Sequence, residues 1–206
     1  MNSETKFFIG IMGVTLAIIL GAAVFLSGKE NVTNLIPADI LIKTTSQVLG
    51  ATDSKVTIVE FSDFECSACK AAQPIVKAVL AKYPNKVRLV YRHFPIPSHQ
   101  YGFLAAQAAE SASLQGKFWE MHDKLFEKSP ELSTDKLIIY ASELKLDIAK
   151  FAADLESDAV KQKVLDDQLD GNKAGINVTP TFFINGQKFE GVLSVDQFSR
   201  EIDKRL

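Results

Sequence analysis

The sequence predicts an α/β fold, and three observations lead to that prediction. Residues 55–93 have the order strand, helix, strand. Residues 100–175 then show only helical periodicity, and strand character returns in a hairpin before a last helix. The expected domain therefore has a β-α-β half and a β-β-α half, with a helical block between them at about residues 98–175.

The first half is built around a buried strand. Val56 to Phe61 is rich in β-branched and apolar residues, which is typical of a strand covered on both faces. The predicted helix from Lys70 to Tyr83 carries an apolar stripe and contains Pro74, which is expected to kink it. Lys86 to His93 is the second strand, and the prolines of residues 94–97 end it.

The helical block and the second half follow from periodicity and turn residues. Asn185-Gly186 predicts a hairpin between strands 181–184 and 187–191, and Ser194 is placed to cap a helix that ends at Leu206. The helices predicted within the block are 100–114, 116–126, 133–144, 147–155 and 157–173.

Composition excludes several classes of function. A net charge of −2 provides no basic field for nucleic acid. Two cysteines are too few for a multi-bridge secreted scaffold. One Cys pair and three scattered histidines do not match a metal site, so neither a metal nor a cofactor is expected.

An uncharged run from Phe7 to Leu26 is long enough, at about 1.5 Å per residue, to cross a bilayer as a helix. We therefore expect a short tail at 1–6, an uncleaved transmembrane signal-anchor at 7–26 and a tether at 27–47. A short edge strand is possible at Asp39–Lys43, and the folded domain is expected at 48–206. An N-terminal anchor of this kind places the domain outside the cytoplasm, on a single-pass membrane protein.

The two cysteines form the tetrad Cys66-Ser67-Ala68-Cys69, where the first strand meets the first helix. Unpaired backbone N–H groups at a helix start favour an anion and lower the pKa of a thiol. Cys66 is therefore the predicted nucleophile, and Cys69, one turn later, is the thiol that resolves a mixed disulfide.

With the tetrad in this setting, the domain resembles the DsbA-type branch of the thioredoxin superfamily, the exported thiol-disulfide oxidoreductases. Three stretches carry the resemblance: Val59–Cys69, Gly116–His122 and Gly175–Gly186. It implies a thioredoxin fold with the helical block inserted between its halves. It also implies exchange with unfolded or folding exported proteins, and a membrane redox partner. That partner is either a quinone-linked reoxidant of the DsbB or VKOR type, or a reductant.

The resemblance also implies roles for residues outside the cysteine pair. A cis Thr179–Pro180 bond would lay the Thr179 backbone beside Cys66 to receive a substrate chain, which Ser67 and Ala68 would also touch. Glu60 would be a buried acid that accepts the Cys69 proton, with a solvated strand-end glutamate as the alternative.

The direction of the chemistry stays open at this point. Neither Ser67 nor Ala68 can donate positive charge, and the nearby acids Asp63 and Glu65, taken as solvated, would oppose a thiolate. An oxidase is preferred. A reductase or isomerase of the same fold, or a tethered binding module with a structural disulfide, are the alternatives.

Overall fold

The computed structural model of the protein describes residues 35–206. The strands are β1 (Gln47–Leu49), β2 (Val56–Ser62), β3 (Val87–His93), β4 (Thr181–Ile184) and β5 (Gln187–Glu190). The helices are α1 (Ala38–Leu41), α2 (Ser67–Lys82), α3 (Gly102–Ser113), α4 (Phe118–Lys128), α5 (Thr134–Glu143), α6 (Ile148–Leu155), α7 (Asp158–Lys173) and α8 (Val195–Asp203). The predicted mixed α/β class is confirmed.

The strands form one sheet in the order β1-β3-β2-β4-β5. β2 and β3 are parallel, and the other neighbouring pairs are antiparallel. In the β2–β3 ladder, Glu60 lies opposite Tyr91 and Ser62 lies opposite His93. The central strand β2 ends four residues before Cys66, so the middle of the sheet leads directly to the tetrad.

Alternation along β2 divides the core between the two faces of the sheet. Ile58 packs with apolar residues of α2 and α8 on one face. Val59 and Phe61 pack with residues of α1 and the end of α7 on the other. Glu60 and Ser62 have the parity of Ile58, so they point to the face that α2 covers.

Five helices, α3 to α7, lie between β3 and β4 and enclose their own apolar cluster. Phe118 and Met121 on α4 are buried in that cluster, and Trp119 packs against its edge. The cluster also includes Cys69 and Tyr91, so the helical block continues the core beneath the tetrad.

The first described residues correct one expectation from the sequence. Residues 39–43 are not an edge strand: Pro37 begins a helical turn, α1, and the edge strand is β1 at 47–49. Leu41 is buried against the face of the sheet that carries Phe61. Residues 35–47 therefore pack on the domain, and the boundary expected at residue 48 falls too late.

The side chain of Arg92 binds the segment that contains α1 to the rest of the domain. It is fully buried in β3 and donates to the carbonyl oxygens of Ile40 and Leu41 at 3.1 and 2.8 Å. The same guanidinium donates to Asp167 and Asp170 on α7, each at 2.8 Å. A planar group with five donors joins three chain segments here, which a lysine ammonium could not do.

The expected tail at 1–6, the anchor at 7–26 and the first part of the tether lie outside the described residues. Among residues 35–206, no helix has the length and apolar character needed to cross a bilayer.

Candidate active site

The tetrad occupies the start of α2. Cys66 is the residue just before the helix, with an extended backbone (φ −76°, ψ 120°), and its relative exposure is 9%. Cys69 is one turn further on and fully buried, and both cysteines are free thiols. Ser67 is exposed and Ala68 half-buried, so the outer surface of the tetrad is open to a partner. One thiol can be reached from solvent and the other cannot.

The surroundings of the two thiols separate their acidities. The hydrogen bond from the Cys69 thiol is the largest cause that lowers the pKa of Cys66, to about 5. The Thr179 side chain and the backbone N–H groups of Cys69 and Ala68 add to this, while burial opposes it. Burial, followed by the hydrogen bond to Cys66, raises the pKa of Cys69 far above its usual value. At neutral pH, Cys66 is therefore a thiolate and Cys69 keeps its proton.

Thr179 and Pro180 lie beside the dithiol, just before β4. The Thr179–Pro180 peptide bond is cis, as the resemblance implies. Cys66 Sγ lies 3.5 Å from the Thr179 carbonyl oxygen. The Pro180 carbonyl accepts from the backbone N–H of Gly191 at 2.8 Å, which fastens this loop to the chain after β5.

Glu60 is fully buried, so the alternative of a solvated strand-end glutamate is wrong. Its Oε1 accepts a hydrogen bond of 2.9 Å from Gln73 Nε2, one turn beyond Cys69 on α2. Burial raises the pKa of Glu60 to about 7, against the opposing effects of Ser62 and Gln73. A carboxyl with a pKa near neutral can both take and return a proton under physiological conditions.

Asp63 was expected to be a solvated loop charge, and that expectation is wrong. It is buried, and its carboxylate accepts from the backbone N–H groups of Glu65 and Ile96 and lies 2.7 Å from His99 Nδ1. Gly102 at the start of α3 leaves room for it, since a Cβ there would lie 2.6 Å from Asp63 Oδ1. Asp63 therefore ties the tetrad loop to the start of the helical block.

Sequence reasoning missed Ser62, Gln73 and Tyr91 as members of this site. Ser62 and Tyr91 line the buried space around Glu60, and Gln73 binds it directly. Alternation along β2 could have identified Ser62, because it lies two residues after Glu60 and faces the same side. Nothing in the local pattern identifies Tyr91, which depends on strand pairing.

One cluster of possible metal ligands occurs within residues 35–206: His93, Glu110 and Asp167. Cations of the protein already occupy it, because Asp167 Oδ1 lies 2.8 Å from both Arg92 Nε and Lys163 Nζ. His93 Nε2 lies 2.9 Å from Glu110. A carboxylate that neutralises two side-chain cations is a poor ligand for a further cation, so we do not assign a metal centre here.

Comparison with known proteins identifies the family of this chain. Residues 43–204 match the protein family described as "Thioredoxin". The chain belongs to the thioredoxin family. Among solved structures, this thioredoxin-family chain is similar to a thioredoxin-like oxidoreductase from Silicibacter pomeroyi, with a TM-score of 0.75 and 30% identity over 82% of this chain and 97% of that one. It is also similar to oxidised BdbD from Bacillus subtilis, with a TM-score of 0.71 and 26% identity over 78% of this chain and 92% of that one.

Curated relatives of this thioredoxin-family chain carry a different name. The Na(+)/H(+) antiporter NhaA 3 of Salinispora tropica is 34% identical over 202 residues, which are 97% of this chain and 30% of the antiporter. The chain thus spans less than a third of the length of the Salinispora antiporters that it matches.

Proposed function

We propose that this chain is an extracytoplasmic thiol-disulfide oxidoreductase that exchanges disulfides with exported proteins through Cys66 and Cys69, chiefly as an oxidase. The observation that carries the proposal is the asymmetry of the dithiol. Cys66, at a helix start, has a pKa of about 5, while buried Cys69 holds its proton. A low-pKa thiol that can be reached from solvent, with a resolving thiol one turn away, is suited to disulfide exchange.

In the oxidising direction the disulfide form meets a substrate with two thiols. A substrate thiolate attacks Cys66 Sγ, the Cys66–Cys69 bond breaks, and Cys69 leaves with the electron pair and takes a proton from the buried Glu60 carboxyl. A second substrate thiolate then attacks the substrate sulfur of the mixed disulfide, and Cys66 leaves as a stable thiolate. The substrate loses two electrons and gains a disulfide, and the protein holds the reduced dithiol.

The acidity of Cys66 favours this direction. A pKa well below the ordinary value of 9.0 stabilises the reduced protein at pH 7, because the thiolate form of Cys66 is favoured there. A protein whose reduced form is more stable is a stronger oxidant when it is in the disulfide form. The two acids Asp63 and Glu65 were expected to oppose a Cys66 thiolate as solvated charges, and this opposition is weaker because both carboxylates accept backbone hydrogen bonds.

The substrate is proposed to bind as an extended chain beside Thr179. Backbone pairing of this kind is independent of side-chain sequence, which suits an enzyme that acts on many unfolded proteins. The open surface of Ser67 and Ala68 would accept the substrate side chains next to its cysteine. The proposed location is the outer face of a membrane, with residues 7–26 as anchor and a membrane-bound reoxidant as partner.

Equilibration of the purified domain with glutathione buffers tests the proposal. The potential at which half of the protein is reduced is expected to lie clearly above that of the glutathione pool. Cys66→Ala is expected to abolish exchange. Oxidation of a reduced, unfolded substrate protein by the disulfide form measures the direction. A dithiol that does not exchange contradicts the proposed oxidoreductase activity. A potential below about −270 mV, which is that of a strong reductant, contradicts the proposed oxidising direction.

The antiporter relatives favour a second candidate, a domain that docks on a membrane transport protein and uses the Cys66–Cys69 bridge only for rigidity. Such a domain retains its binding when both cysteines are replaced by alanine. An oxidoreductase loses its activity in the same double variant, so measuring both binding and exchange activity on that variant distinguishes the two candidates.

A further inference from the structure

We infer that the Ser62 hydroxyl relays the proton between the Cys69 thiol and the Glu60 carboxyl, which makes Ser62 part of the exchange machinery. The inference rests on the proposed disulfide exchange and adds to it a residue that neither the sequence nor the comparisons assign. Three independent features lead to it: the face of the sheet on which Ser62 lies, its unpaired hydroxyl, and its effect on both acids.

The first feature is position. Glu60 and Ser62 are two residues apart on β2, so they project to the same face, and α2 covers that face with Cys69 on its first turn. Ser62 and Cys69 are 1% and 0% exposed, so bulk water does not reach either group. A proton that leaves Cys69 therefore needs a route through protein atoms or an enclosed water.

The second feature is a set of unpaired polar atoms. Glu60 Oε2, Ser62 Oγ and Tyr91 OH are all buried, and none has a hydrogen-bond partner of good geometry. Buried polar atoms are normally paired, so three together mark a place where something moves or binds. Gln73 already fixes Glu60 Oε1, which leaves Oε2 as the oxygen available to receive a proton.

The third feature is that Ser62 influences both acids. Its hydroxyl lowers the pKa of Glu60 and lowers that of Cys69, so it favours the ionised form of each. A serine hydroxyl is both donor and acceptor and turns about one bond. Since it is committed to neither neighbour, it can receive a proton from one and pass its own to the other.

Other titratable groups near this space do not replace Ser62. Asp63 is occupied by its three donors, and His93 lies against Glu110. His122 on α4 is turned to Asp123 through Nδ1. His93 Nδ1 and His122 Nε2 are also buried without a partner, but neither ring is among the main causes that shift the pKa of Glu60 or Cys69. Tyr91 is the remaining competitor; burial and the charge of Glu60 raise its pKa, so it keeps its proton and can donate.

In the relay, the S–H bond of Cys69 breaks as its sulfur attacks the mixed disulfide on Cys66. The proton goes to Ser62 Oγ, the former Ser62 proton goes to Glu60 Oε2, and the substrate leaves as a thiolate. Ser62 ends unchanged and Glu60 ends protonated, so charge and atoms balance. The reverse sequence returns the proton to Cys69 when the disulfide form is attacked.

The test follows the second step of exchange with oxidised glutathione, the attack of Cys69 on the Cys66–glutathione disulfide, from pH 5 to 9. The rate is expected to rise with a midpoint near 7, where Glu60 titrates. Ser62→Ala is expected to slow this step about 10-fold or more at pH 7 and to remove that midpoint. Ser62→Thr keeps the hydroxyl and is expected to restore both.

Two controls keep the result specific to the relay. The pH profile of Cys66 alkylation is expected to keep its low midpoint in Ser62→Ala, which shows that the helix start is intact. Tyr91→Phe is expected to keep the midpoint near 7. The inference is overturned if Ser62→Ala has the same rate and pH midpoint as the unmodified protein, or if Ser62→Thr fails to restore them. It is also overturned if Tyr91→Phe alone removes the midpoint. If the unmodified protein forms no glutathione disulfide, the proposed function itself fails.

Discussion

The Cys66 thiol and the Thr179 carbonyl oxygen are 3.5 Å apart, although the two residues are 113 positions apart in the chain. This contact joins the β-α-β half to the β-β-α half across the whole helical block. It places the Thr179–Pro180 backbone beside the predicted nucleophile, so the proposed substrate-binding surface adjoins the reactive sulfur. The dithiol therefore depends on both halves of the fold.

The first prediction concerns the ionisation of Cys66. Its rate of alkylation is expected to reach half its maximum at a pH of about 5, and Cys69 is expected to resist the reagent. Cys69→Ala is expected to move that midpoint upward, because the Cys69 thiol is the largest cause of the low pKa. Alkylation over pH 3–10, followed by mass spectrometry, measures both. A midpoint near 9 in the unmodified protein contradicts the proposed electrostatics.

The second prediction links Glu60 to the dependence of stability on pH. Its pKa is about 7 when folded and 4.5 ordinarily, so the folded state holds more protons between these values. The free energy of unfolding of the protein is therefore expected to fall by up to about 3 kcal/mol as the pH rises through this window. Urea unfolding at pH 5 and pH 8 measures the loss.

Glu60→Gln is expected to lack that loss, and therefore to gain stability relative to the unmodified protein at pH 8. The exposed Glu156, changed in the same way, controls for the removal of one negative charge. The same slope in Glu60→Gln and the unmodified protein contradicts a raised pKa.

The third prediction concerns Arg92. Arg92→Met is expected to destabilise the protein by about 3–5 kcal/mol, because it removes the fully buried cation that binds both buried carboxylates, Asp167 and Asp170. Lys173→Met removes another cation from Asp170, but its side chain is 53% exposed, so less than about 1 kcal/mol is expected. Equal effects from the two substitutions contradict the assignment of Arg92 as the buried centre of this network.

The fourth prediction sets helix propensity against packing at Gly171. Alanine inside α7 is intrinsically favoured over glycine by about 1 kcal/mol. Its Cβ would lie 2.5 Å from the buried Phe94 ring, and overpacking costs about 1–3 kcal/mol. A net loss of stability is expected for Gly171→Ala in thermal unfolding, and a gain shows that the ring moves aside freely.

Local signals in the sequence determine most of this fold. Periodicity located β2, α2 and the helices of the block, and Asn185-Gly186 located the β4–β5 turn. The start of α2 could not be placed from periodicity, because Ser67 and Ala68 carry no apolar stripe. The short α1 was missed because Asp39–Lys43 is apolar enough to be a strand, and its position depends on the distant Arg92 and on packing of Leu41 against the sheet.

Long-range pairing explains what was missed in the site. Cys66 and Cys69 are evident from spacing, whereas the roles of Tyr91 and Asp63 depend on partners about 30 residues away. A charged residue in a loop next to a reactive cysteine is solvated by default. Asp63 is buried because the chain at Ile96 and His99 returns over it with two donors.

The first described residues lie at the end of the sheet far from the dithiol. The backbone N–H of Ile36 donates to the Gly186 carbonyl at 3.2 Å, at the turn where β4 ends and beside the first residues of β2. The seven residues of β2 span about 20 Å from there towards the tetrad. The first described residues therefore lie at the end of β2 opposite the tetrad, about one strand length from the reactive sulfur.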